Sequence, residues 1–444
     1  MGANFDTTRY EAMDRRSIWH PYTKHSVVEG GHLPIISRGE GVYLYESTGR
    51  RYLDAISSWW ACNLGHNHPR LVEAIVRQAR ELQHSILGNL SHPRAIELAA
   101  RLNELFPDDR RVLFASDGAC AVEAALKIAL QYWHNLDRPE KCRFAALDFA
   151  YHGDTLGAVS VGYLKKFHEP FASVVFPVFQ APSPCCGACA FHESGEVCLE
   201  ECFDTMRLIL REHAHELAAV IIEPMCQGAG GMRMHSAEYL RRLAALCREK
   251  EVLLIADEVA MGFGRTGKMF AFEHAGILPD MVCLGKSLSG GYLPISATVV
   301  REPIFSTFRD LPQDHTFYHG HTFAGNPIAA AAAVETLAVY QDEGIVARAA
   351  ALGNVLAEEL GALKDLPDVR NVRWLGMIGV IELNDDAQGR GAVRAAGIRD
   401  RLRQEGILLR PLGNVVYVMP PLVTPEPVLR ELVRAVGRAV KEGA

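Results

Sequence analysis

Residues 252–291 read VLLIADEVAMGFGRTGKMFAFEHAGILPDMVCLGKSLSGG, and the fold prediction depends on this stretch. Two short apolar runs, 252–257 and 281–284, have the length of buried strands. Asp257 ends the first run, and Lys286 follows the second by two positions. Each run therefore predicts a buried strand that is followed at once by a side chain able to do chemistry.

Similar strand-sized runs recur through the middle of the chain and alternate with helical patterns. The runs cover 112–116, 143–149, 173–179, 218–223, 252–257, 281–284 and 295–300. Helical spacing is found over 121–136 and over 236–251, where Ser236 is a plausible N-cap. Strand, helix and strand in series predict an α/β fold with a mainly parallel central sheet between helices.

The two ends of the chain have a different pattern. Strands and helices are short and mixed there, with a hairpin over 39–54, strands over 378–383 and 415–419, and a helix over 427–441. We therefore expect a large α/β domain over 61–335 and a smaller α+β domain formed by residues 1–60 and 336–444.

The composition of the 444 residues is that of an ordinary globular protein, 49% hydrophobic and 22% charged. The 46 basic and 53 acidic residues give a net charge of −7 with neither sign gathered into a tail, so neither a nucleic-acid nor a membrane partner is expected. The longest uncharged stretch, 315–334, is too polar to span a membrane. Isolated cysteines in apolar runs and the lack of a signal-peptide pattern favour the cytoplasm.

Three segments allow both a chemical and a structural interpretation. Lys286 in a cleft of low dielectric constant suits a Schiff base, but a surface Lys in a Gly-rich turn is the alternative. Asp257, partly desolvated, needs a cationic partner unless it caps a helix or joins a structural ion pair. Segment 116–123, SDGACAVE, lies between a strand and a helix and either binds an anion or forms an ordinary turn.

The segment GFGRTGK at 262–268 matches both the dinucleotide-binding and the P-loop patterns. Its position fits neither, because it does not open a βαβ unit and because Met269 stands where a P-loop has Ser or Thr. We interpret it as a tight loop whose Arg265 points at the active site. A P-loop ATPase is a rival hypothesis.

Five cysteines lie within residues 185–202: Cys185, Cys186, Cys189, Cys198 and Cys202. Thiolates at such spacings are able to form a tetrahedral zinc site, although the second pair lacks the usual C-x-x-C spacing. A reduced, Cys-rich loop is the preferred interpretation, so no metal is assigned to the active site. A metal-binding or redox-sensing protein is the rival hypothesis.

In this order, the segments resemble those of the fold-type I pyridoxal-phosphate enzymes and, within them, the class III aminotransferases, over nearly the whole chain. Residues 254–291 are similar to the family signature, with the Asp-Glu pair, GFGRTG, Pro279-Asp280 and the segment around Lys286. Other motifs resemble the branch of the family that acts in biotin synthesis: IWHPYT (18–23), SSWW (57–60), YHGDT (151–155), QGAGGM (227–232), RP (410–411) and YVMPP (417–421).

The resemblance implies pyridoxal 5′-phosphate as the cofactor, attached to Lys286, which also serves as the base that moves the substrate proton. It implies that Asp257 pairs with the pyridine nitrogen, which keeps the ring an electron sink. The other implied cofactor contacts are Tyr151 on the ring face, the amides of Gly118 and Ala119 on the phosphate, Gln227 near the phenolic oxygen, His321 and, reaching across from the second subunit of a homodimer, the Thr322 hydroxyl. Gly320 and His321 are expected to lie at the seam of that dimer.

The implied reaction is a transfer of an amine from S-adenosylmethionine to 8-amino-7-oxononanoate, both small-molecule substrates. Arg410 is expected to hold the carboxylate of the acceptor in a bidentate pair. The other residues implied on the substrate side are Tyr22, Trp59, Trp60, Arg265, Gly320 and Tyr417. The structural alternatives are a core position for Trp59 and Trp60 and a surface ion pair for Arg410.

Two departures from the family pattern bear on these expectations. Ala119 stands where many relatives have Ser or Thr, so one hydrogen bond to the phosphate is lost. The motifs YHGHT (318–322) and GGYLP (290–294) are more similar to the branch that uses lysine as the amino donor, whereas Trp59 and Tyr417 favour adenosylmethionine. The alternatives are therefore lysine as donor, or another class III ω-aminotransferase acting on a diamine or an ω-amino acid.

Overall fold

A computed structural model of the chain describes residues 6–30, 33–185 and 201–443. Its strands are β1 Ile36–Glu40, β2 Tyr43–Glu46, β3 Arg51–Asp54, β4 Arg110–Ala115, β5 Arg143–Leu147, β6 Phe179–Ala181, β7 Leu217–Ile222, β8 Cys226–Gln227, β9 Arg233–Met234, β10 Leu253–Asp257, β11 Met281–Leu284, β12 Ser296–Arg301, β13 Val369–Leu375, β14 Ile378–Leu383, β15 Ile407–Leu408 and β16 Val415–Val418.

The helices are α1 Thr7–Ser17, α2 His25–Gly30, the irregular turn α3 Ser57–Trp60, α4 Pro69–Glu81, α5 Pro93–Asn103, α6 Gly118–Asn135, α7 Leu156–Val161, α8 Lys165–His168, α9 Cys202–His213, α10 Ala237–Glu249, α11 Glu302–Phe305, α12 Pro327–Asp342, α13 Ile345–Gly361, α14 Arg390–Gln404 and α15 Glu426–Glu442. In the described ranges, none of them is both long enough and apolar enough to cross a membrane.

A seven-stranded sheet with the order β4-β12-β11-β10-β7-β5-β6 forms the centre of the molecule. The pairs β11–β10, β10–β7, β7–β5 and β5–β6 are parallel, and β12 runs antiparallel to both of its neighbours. Strands β5, β7, β10 and β11 are almost entirely buried, as expected of a sheet that helices cover on both faces. The predicted α/β fold with a mainly parallel central sheet is confirmed.

The strand expected over 173–179 is wrong, because strand β6 begins only at Phe179. In the preceding residues Val174 is 57% exposed and Phe176 is 39% exposed, so the first part of this apolar run lies at the surface. Pro177 also has no N–H to donate to a neighbouring strand.

Polar caps and buried side chains place the helices on this sheet. Ser236 caps α10 as predicted, since its Oγ accepts a hydrogen bond from the Tyr239 amide at 3.0 Å. Asp117 caps α6 in the same way, accepting from the Cys120 amide at 3.0 Å. At the other end of α6, the indole N–H of Trp133 donates to the Ala218 carbonyl of β7 at 2.9 Å, which fixes the helix against the sheet.

The two ends of the chain come together in a smaller sheet with the order β1-β2-β3-β15. Strands β2 and β3 form the hairpin predicted over 39–54, and β15 pairs in parallel with β3. Strands β13, β14 and β16 form a further antiparallel sheet. The strands at residues 51–54 and 407–408 share a sheet, so residues from both ends of the chain belong together. We therefore propose that residues 1–60 and 336–444 form the smaller domain and that residues 61–335 form the large domain.

Candidate active site

A cavity of about 450 Å³ lies where the central strands end. Its lining includes Gly118, Tyr151, Glu223, Asp257 and Lys286, which follow or end β4, β5, β7, β10 and β11, respectively. Ligands of open α/β sheets bind outside the carboxyl ends of the strands, so the cavity lies where a ligand is expected. The cavity brings together the Lys and the Asp of the stretch 252–291.

Lys286 begins the short 3₁₀ segment Lys286–Ser289 directly after β11, with a φ of 41°. This left-handed conformation is unusual for a residue with a side chain and marks a locally strained backbone. Its Nζ lies 5.2 Å from the centre of the Trp60 ring. Burial lowers the pKa of the Lys286 amine, although Asp257 and Glu223 act in the opposite direction. A lowered pKa favours the neutral, nucleophilic amine.

Asp257 ends β10 and is 5% exposed. Its Oδ2 lies 2.7 Å from His152 Nδ1, and its Oδ1 accepts from the Val259 amide at 3.0 Å. His152 Nε2, on the other side of the ring, is buried without a hydrogen-bond partner in the described ranges, and the residue lines the cavity. The carboxylate is therefore held in one orientation from behind while it faces the cavity.

The next residue, Glu258, points the other way. Its two carboxylate oxygens accept hydrogen bonds from the Phe272 and Ala271 amides at 2.9 and 3.0 Å, and the residue is fully buried. Burial raises the pKa of Glu258 to about 8, and the two amides oppose that shift. Glu258 thus stabilises the following segment, and Asp257 alone serves the cavity.

Helix α6 points its N-terminus at the same cavity. The first amides of an α-helix have no partner within the helix, so Gly118 and Ala119 offer donors to an anion. A Cβ at Gly118 would lie 2.6 Å from Val259 Cγ1, and one at Gly153 would lie 2.3 Å from Ala119 Cβ. Both glycines therefore allow the close packing of the segments that line the cavity at the start of the helix. The Ala119 side chain has no hydroxyl to offer a phosphate.

Glu223 was not among the expected site residues, although it follows β7 just as Lys286 follows β11. Its Oε1 accepts from the Tyr151 amide at 3.0 Å and its Oε2 accepts from the Gly228 amide at 2.8 Å. Burial raises the pKa of Glu223 to about 7, opposed by His152. Glu223 thereby fixes the backbone of two segments at the cavity. The signal for it was available in the sequence, as a carboxylate directly after an apolar run.

The outer edge of the cavity carries a cluster of aromatic and charged side chains. Tyr22 and Tyr151 both donate their hydroxyls to Asp154, at 2.5 Å and 2.9 Å. Tyr22 contacts Trp59 edge-on with 6.0 Å between ring centroids, and the Arg410 guanidinium carbon lies 3.9 Å from the centre of the Trp59 ring. Burial and the hydrogen bond with Asp154 raise the pKa of Tyr22 to about 12, so its hydroxyl keeps its proton.

The structural alternatives for the two tryptophans are resolved by their exposure. Trp59 is 42% exposed beside Arg410, so it is not a core residue. Trp60 is 5% exposed and belongs to the hydrophobic core, as the structural alternative expected, but it also lines the cavity. Its indole N–H donates to the Tyr417 hydroxyl at 3.1 Å. Asp154 is also absent from the expected set, because its importance arises only from its contacts with Tyr22 and Tyr151.

The expectation that Arg265 points at the active site is wrong. Its side chain is fully buried and donates to the carbonyl oxygens of Met377 and Pro420 and to Ser57 Oγ and Asn63 Oδ1. Four acceptors from distant parts of the chain draw the guanidinium into the interior, away from the cavity. Among these contacts, the hydrogen bond with Ser57 is the one that joins Arg265 to the turn that carries Trp59 and Trp60.

Gln227 is likewise absent from the lining of the cavity. Its Nε2 donates to the Asp148 carbonyl at 2.8 Å and its Oε1 accepts from the Ser183 hydroxyl. Gly320, His321 and Thr322 lie on a loop after Tyr318 and do not line the cavity of their own chain. Thr322 and Gly320 are exposed, and the expected contact with a cofactor thus requires a second subunit.

The Gly-rich loop and the described part of the cysteine cluster do not line the cavity. Phe263, Arg265 and Thr266 of the Gly-rich loop are no more than 2% exposed, so the loop is closed to a nucleotide. Cys186, Cys189 and Cys198 lie outside the described residues, while Cys185 and Cys202 are buried thiols. No group of three or more metal-ligating side chains occurs within the described ranges.

The fold and the site agree with the comparison with known families. The model of the family "Aminotransferase class-III" matches residues 26–440, so the chain belongs to the class III aminotransferases. It is therefore an enzyme with the fold-type I architecture of pyridoxal-phosphate-dependent transferases.

Within this family, the chain is similar to several aminotransferases that share one name. The adenosylmethionine-8-amino-7-oxononanoate aminotransferase of Geobacter sulfurreducens is 39% identical, with 94% of each chain covered. The enzyme of that name from Nitratidesulfovibrio vulgaris is 41% identical over 98% of this chain and 82% of its own. The crystal structure of the one from Methanocaldococcus jannaschii superposes with a TM-score of 0.92 at 35% identity, covering 99% of this chain and 100% of that one.

The fold is shared with a second group of enzymes. The omega transaminase from Pseudomonas jessenii, solved in complex with PMP, superposes with a TM-score of 0.90 at 30% identity, covering 97% of each chain. The fold therefore does not by itself distinguish between the two groups.

Proposed function

We propose that this chain transfers an amine from S-adenosylmethionine to the 7-keto carbon of 8-amino-7-oxononanoate, which yields 7,8-diaminononanoate for biotin biosynthesis. The observation that carries the proposal is the position of Lys286 and Asp257 in one cavity, with Asp257 at the end of one buried strand and Lys286 two residues after another. The relatives named for this reaction cover nearly the whole chain. The composition and the isolated cysteines support a cytoplasmic enzyme.

The residues of the cavity fit pyridoxal 5′-phosphate. The amides of Gly118 and Ala119 suit the phosphate, Asp257 suits the ring nitrogen, and Lys286 suits the aldehyde. When bound, this cofactor supplies an aldehyde that condenses with amines and a ring that accepts electrons. Tyr151 provides an aromatic face for the cofactor ring. Gln227 contributes to the site only indirectly, because its side chain joins the Asp148 and Ser183 segments by hydrogen bonds.

The protein's own contribution to the reaction is proton transfer and orientation. The Lys286 amine, with its lowered pKa, accepts a proton at Nζ and returns it during the transfer. The Asp257 carboxylate, held by His152, would pair with the pyridine nitrogen of the cofactor and keep a proton on it. Glu223 holds the Tyr151 and Gly228 backbones in place.

The edge of the cavity suits a substrate with both a carboxylate and an amine. Arg410, stacked on Trp59, provides the donors for a bidentate carboxylate pair. Asp154, with Tyr22 and Tyr151, provides a negative charge for an ammonium group. Trp60 and Tyr417 form an apolar wall between them and Lys286, which suits an aliphatic chain.

We also propose a homodimer in which the loop carrying Gly320, His321 and Thr322 reaches the cofactor of the partner. The support is that this loop is largely exposed and does not line the cavity of its own chain. The Thr322 hydroxyl then compensates for the missing hydroxyl at Ala119.

The first test compares Lys286→Ala with Lys268→Ala, which changes an exposed lysine at the end of the Gly-rich loop, outside the cavity. Wild type and Lys268→Ala are expected to be yellow with pyridoxal 5′-phosphate and to transfer the amine, whereas Lys286→Ala loses both properties. A colourless wild type after addition of the cofactor would refute the proposal. A P-loop ATPase predicts instead that Lys268→Ala abolishes magnesium-dependent ATP binding.

The second test separates the candidate substrates. Single-turnover half-reactions with adenosylmethionine, lysine, a diamine and an ω-amino acid are followed by the loss of the yellow colour. We expect the fastest reaction with adenosylmethionine. A faster reaction with lysine would change the donor, and a reaction with only the diamine or the ω-amino acid would favour the ω-aminotransferase, whose fold is equally similar.

A further inference from the structure

His168, at the end of α8, is buried behind the substrate edge of the cavity, with 2% of its side chain exposed. The Leu164 amide lies 3.0 Å from its Nδ1 and donates to it. An amide N–H can only donate, so Nδ1 must be the unprotonated nitrogen and the ring proton must be on Nε2. Burial also lowers the pKa of His168, which keeps the ring neutral.

The protonated Nε2 faces Asp154. It is buried without a hydrogen-bond partner in the described part of the chain, and Asp154 Oδ1 lies 3.8 Å away. The imidazole ring is also within 19° of parallel to the Tyr151 ring, with 6.2 Å between the centroids. An unused donor in a buried position is costly unless a nearby acceptor draws closer.

The same short helix supports the other tyrosine of the edge. Phe167, next to His168, contacts the Tyr22 ring edge-on with 5.5 Å between centroids. Helix α8 thus lies behind both residues that donate their hydroxyls to Asp154.

The protonation state of His168 sets the charge of this group. Both tyrosines are neutral, since burial and their hydrogen bonds raise the pKa of each. A neutral His168 directs an N–H at Asp154, beside the two tyrosine hydroxyls, without changing the charge of the group. A protonated ring would add a positive charge that cancels the charge of the carboxylate. Only the neutral ring therefore leaves a site that attracts an ammonium group.

We propose that His168 is a positioning residue, whose neutral imidazole directs its Nε2–H at Asp154 and holds that carboxylate where it receives the ammonium group of the amine substrate. This inference rests on the proposed function, because it assigns the group that Asp154 binds. His168 itself touches neither the substrate nor the cofactor.

The test uses two variants that each preserve one nitrogen of the ring. In His168→Asn the side-chain oxygen can replace Nδ1 and keep the Leu164 contact, but the donor to Asp154 is lost. In His168→Gln the longer amide can replace the Nε2–H donor, but the Leu164 contact is lost. His215→Asn, at an exposed histidine before β7, is the matched control.

We expect His168→Asn to raise the KM for the amine donor by about tenfold with little change in kcat, because one charge-assisted hydrogen bond is lost. His168→Gln is expected to stay within about twofold of wild type, since it keeps that hydrogen bond. In an Asp154→Asn background, His168→Asn is expected to add no further loss. If Gln is worse than Asn, or if both lose kcat equally, His168 only stabilises the fold and the proposal is overturned.

A spectroscopic measurement does not depend on turnover. The ¹⁵N shifts of the His168 ring, assigned by comparison with His168→Gln, are expected to show a protonated Nε2 and a bare Nδ1 in the holoenzyme. The opposite tautomer or a protonated ring overturns the proposal. If wild type accepts an amine from none of the donors tested, the proposed function fails, while the tautomer still decides whether Nε2–H faces Asp154.

Discussion

Asp257 and Glu258 are neighbours in the chain, yet one faces the cavity and the other caps a turn in the interior. Successive side chains at the end of a strand point to opposite sides, so only one carboxylate of such a pair can serve the site. The same reasoning applies to Lys286, which the strained backbone after β11 directs into the cavity. At this scale, chemistry depends on the direction in which one side chain leaves a strand.

Asp257→Asn tests the electrostatic role of this carboxylate. The amide keeps the size of the side chain and its place beside His152, but it has no charge to keep the cofactor nitrogen protonated. We expect kcat to fall by about 10²–10³-fold, while the protein stays yellow because Lys286 is intact. Steady-state rates and the absorbance spectrum check this. Activity within tenfold of wild type would show that the charge of Asp257 is dispensable.

The turn α3 shows how an element is held in an unfavourable conformation. Ser57, Ser58 and Trp60 all have positive φ values, which is costly for residues with side chains. Asp54 holds the turn, since it accepts from the Ser58 amide at 2.6 Å and lies 2.9 Å from His66 Nε2. This strained conformation places Trp59 and Trp60 at the edge of the cavity.

The Asp54–His66 pair makes this element sensitive to pH. Burial lowers the pKa of His66, but hydrogen bonds with Asp54 and Cys62 outweigh it and raise the pKa to about 9. A histidine whose pKa is raised on folding stabilises the fold fully below its unfolded pKa of about 6.5, and it loses this contribution as the pH rises through 9.

His66→Gln is therefore expected to lower the free energy of unfolding by about 1–2 kcal/mol at pH 6, after allowance for solvent screening. The difference from wild type shrinks as the pH approaches 10, where His66 is neutral in both states. Urea unfolding at both pH values, with saturating cofactor and with His215→Asn as control, measures it. A difference that does not change with pH would mean that packing, and not charge, accounts for the loss.

On the scale of the whole molecule, exposed apolar residues support the proposed homodimer and suggest the surface that a second copy would contact. Phe323 is 63% exposed, directly beside Thr322, and its ring lies 5.1 Å from that of His84. Ile86 and Leu90, in the segment after His84, are 57% and 60% exposed. Large exposed apolar groups that lie together are typical of an interface, and here they adjoin the loop assigned to the partner's site.

Phe323→Asp is expected to shift the protein from dimer toward monomer and to weaken cofactor binding, since Thr322 no longer reaches the neighbouring phosphate. Light scattering after size exclusion and a cofactor titration measure the two effects. Val393→Asp, which replaces a 71% exposed side chain on α14, is the control and is expected to remain dimeric. A wild type that is monomeric yet active would contradict the shared site.

Local pattern was sufficient for the central sheet and for the positions of Lys286, Asp257 and Gly118 at the ends of its strands, while the chemical roles of these residues came from the resemblance to the class III aminotransferases. Each of these depends on apolar periodicity and on a residue directly after a strand, and such information lies within a few neighbouring residues. The failure at 173–179 has the same origin, because an apolar run does not reveal whether it is buried.

The roles of Asp154, Arg265 and His168 depend on contacts between segments that are distant in the chain. Asp154 acquires its role from Tyr22, which is 132 residues away in the chain, and Arg265 turns inward because Asn63, Met377 and Pro420 converge on it. His168 became informative only when its second nitrogen was seen to face Asp154. Hydrogen bonds of this kind depend on a geometry of a few tenths of an ångström, which arises only when the whole chain is packed.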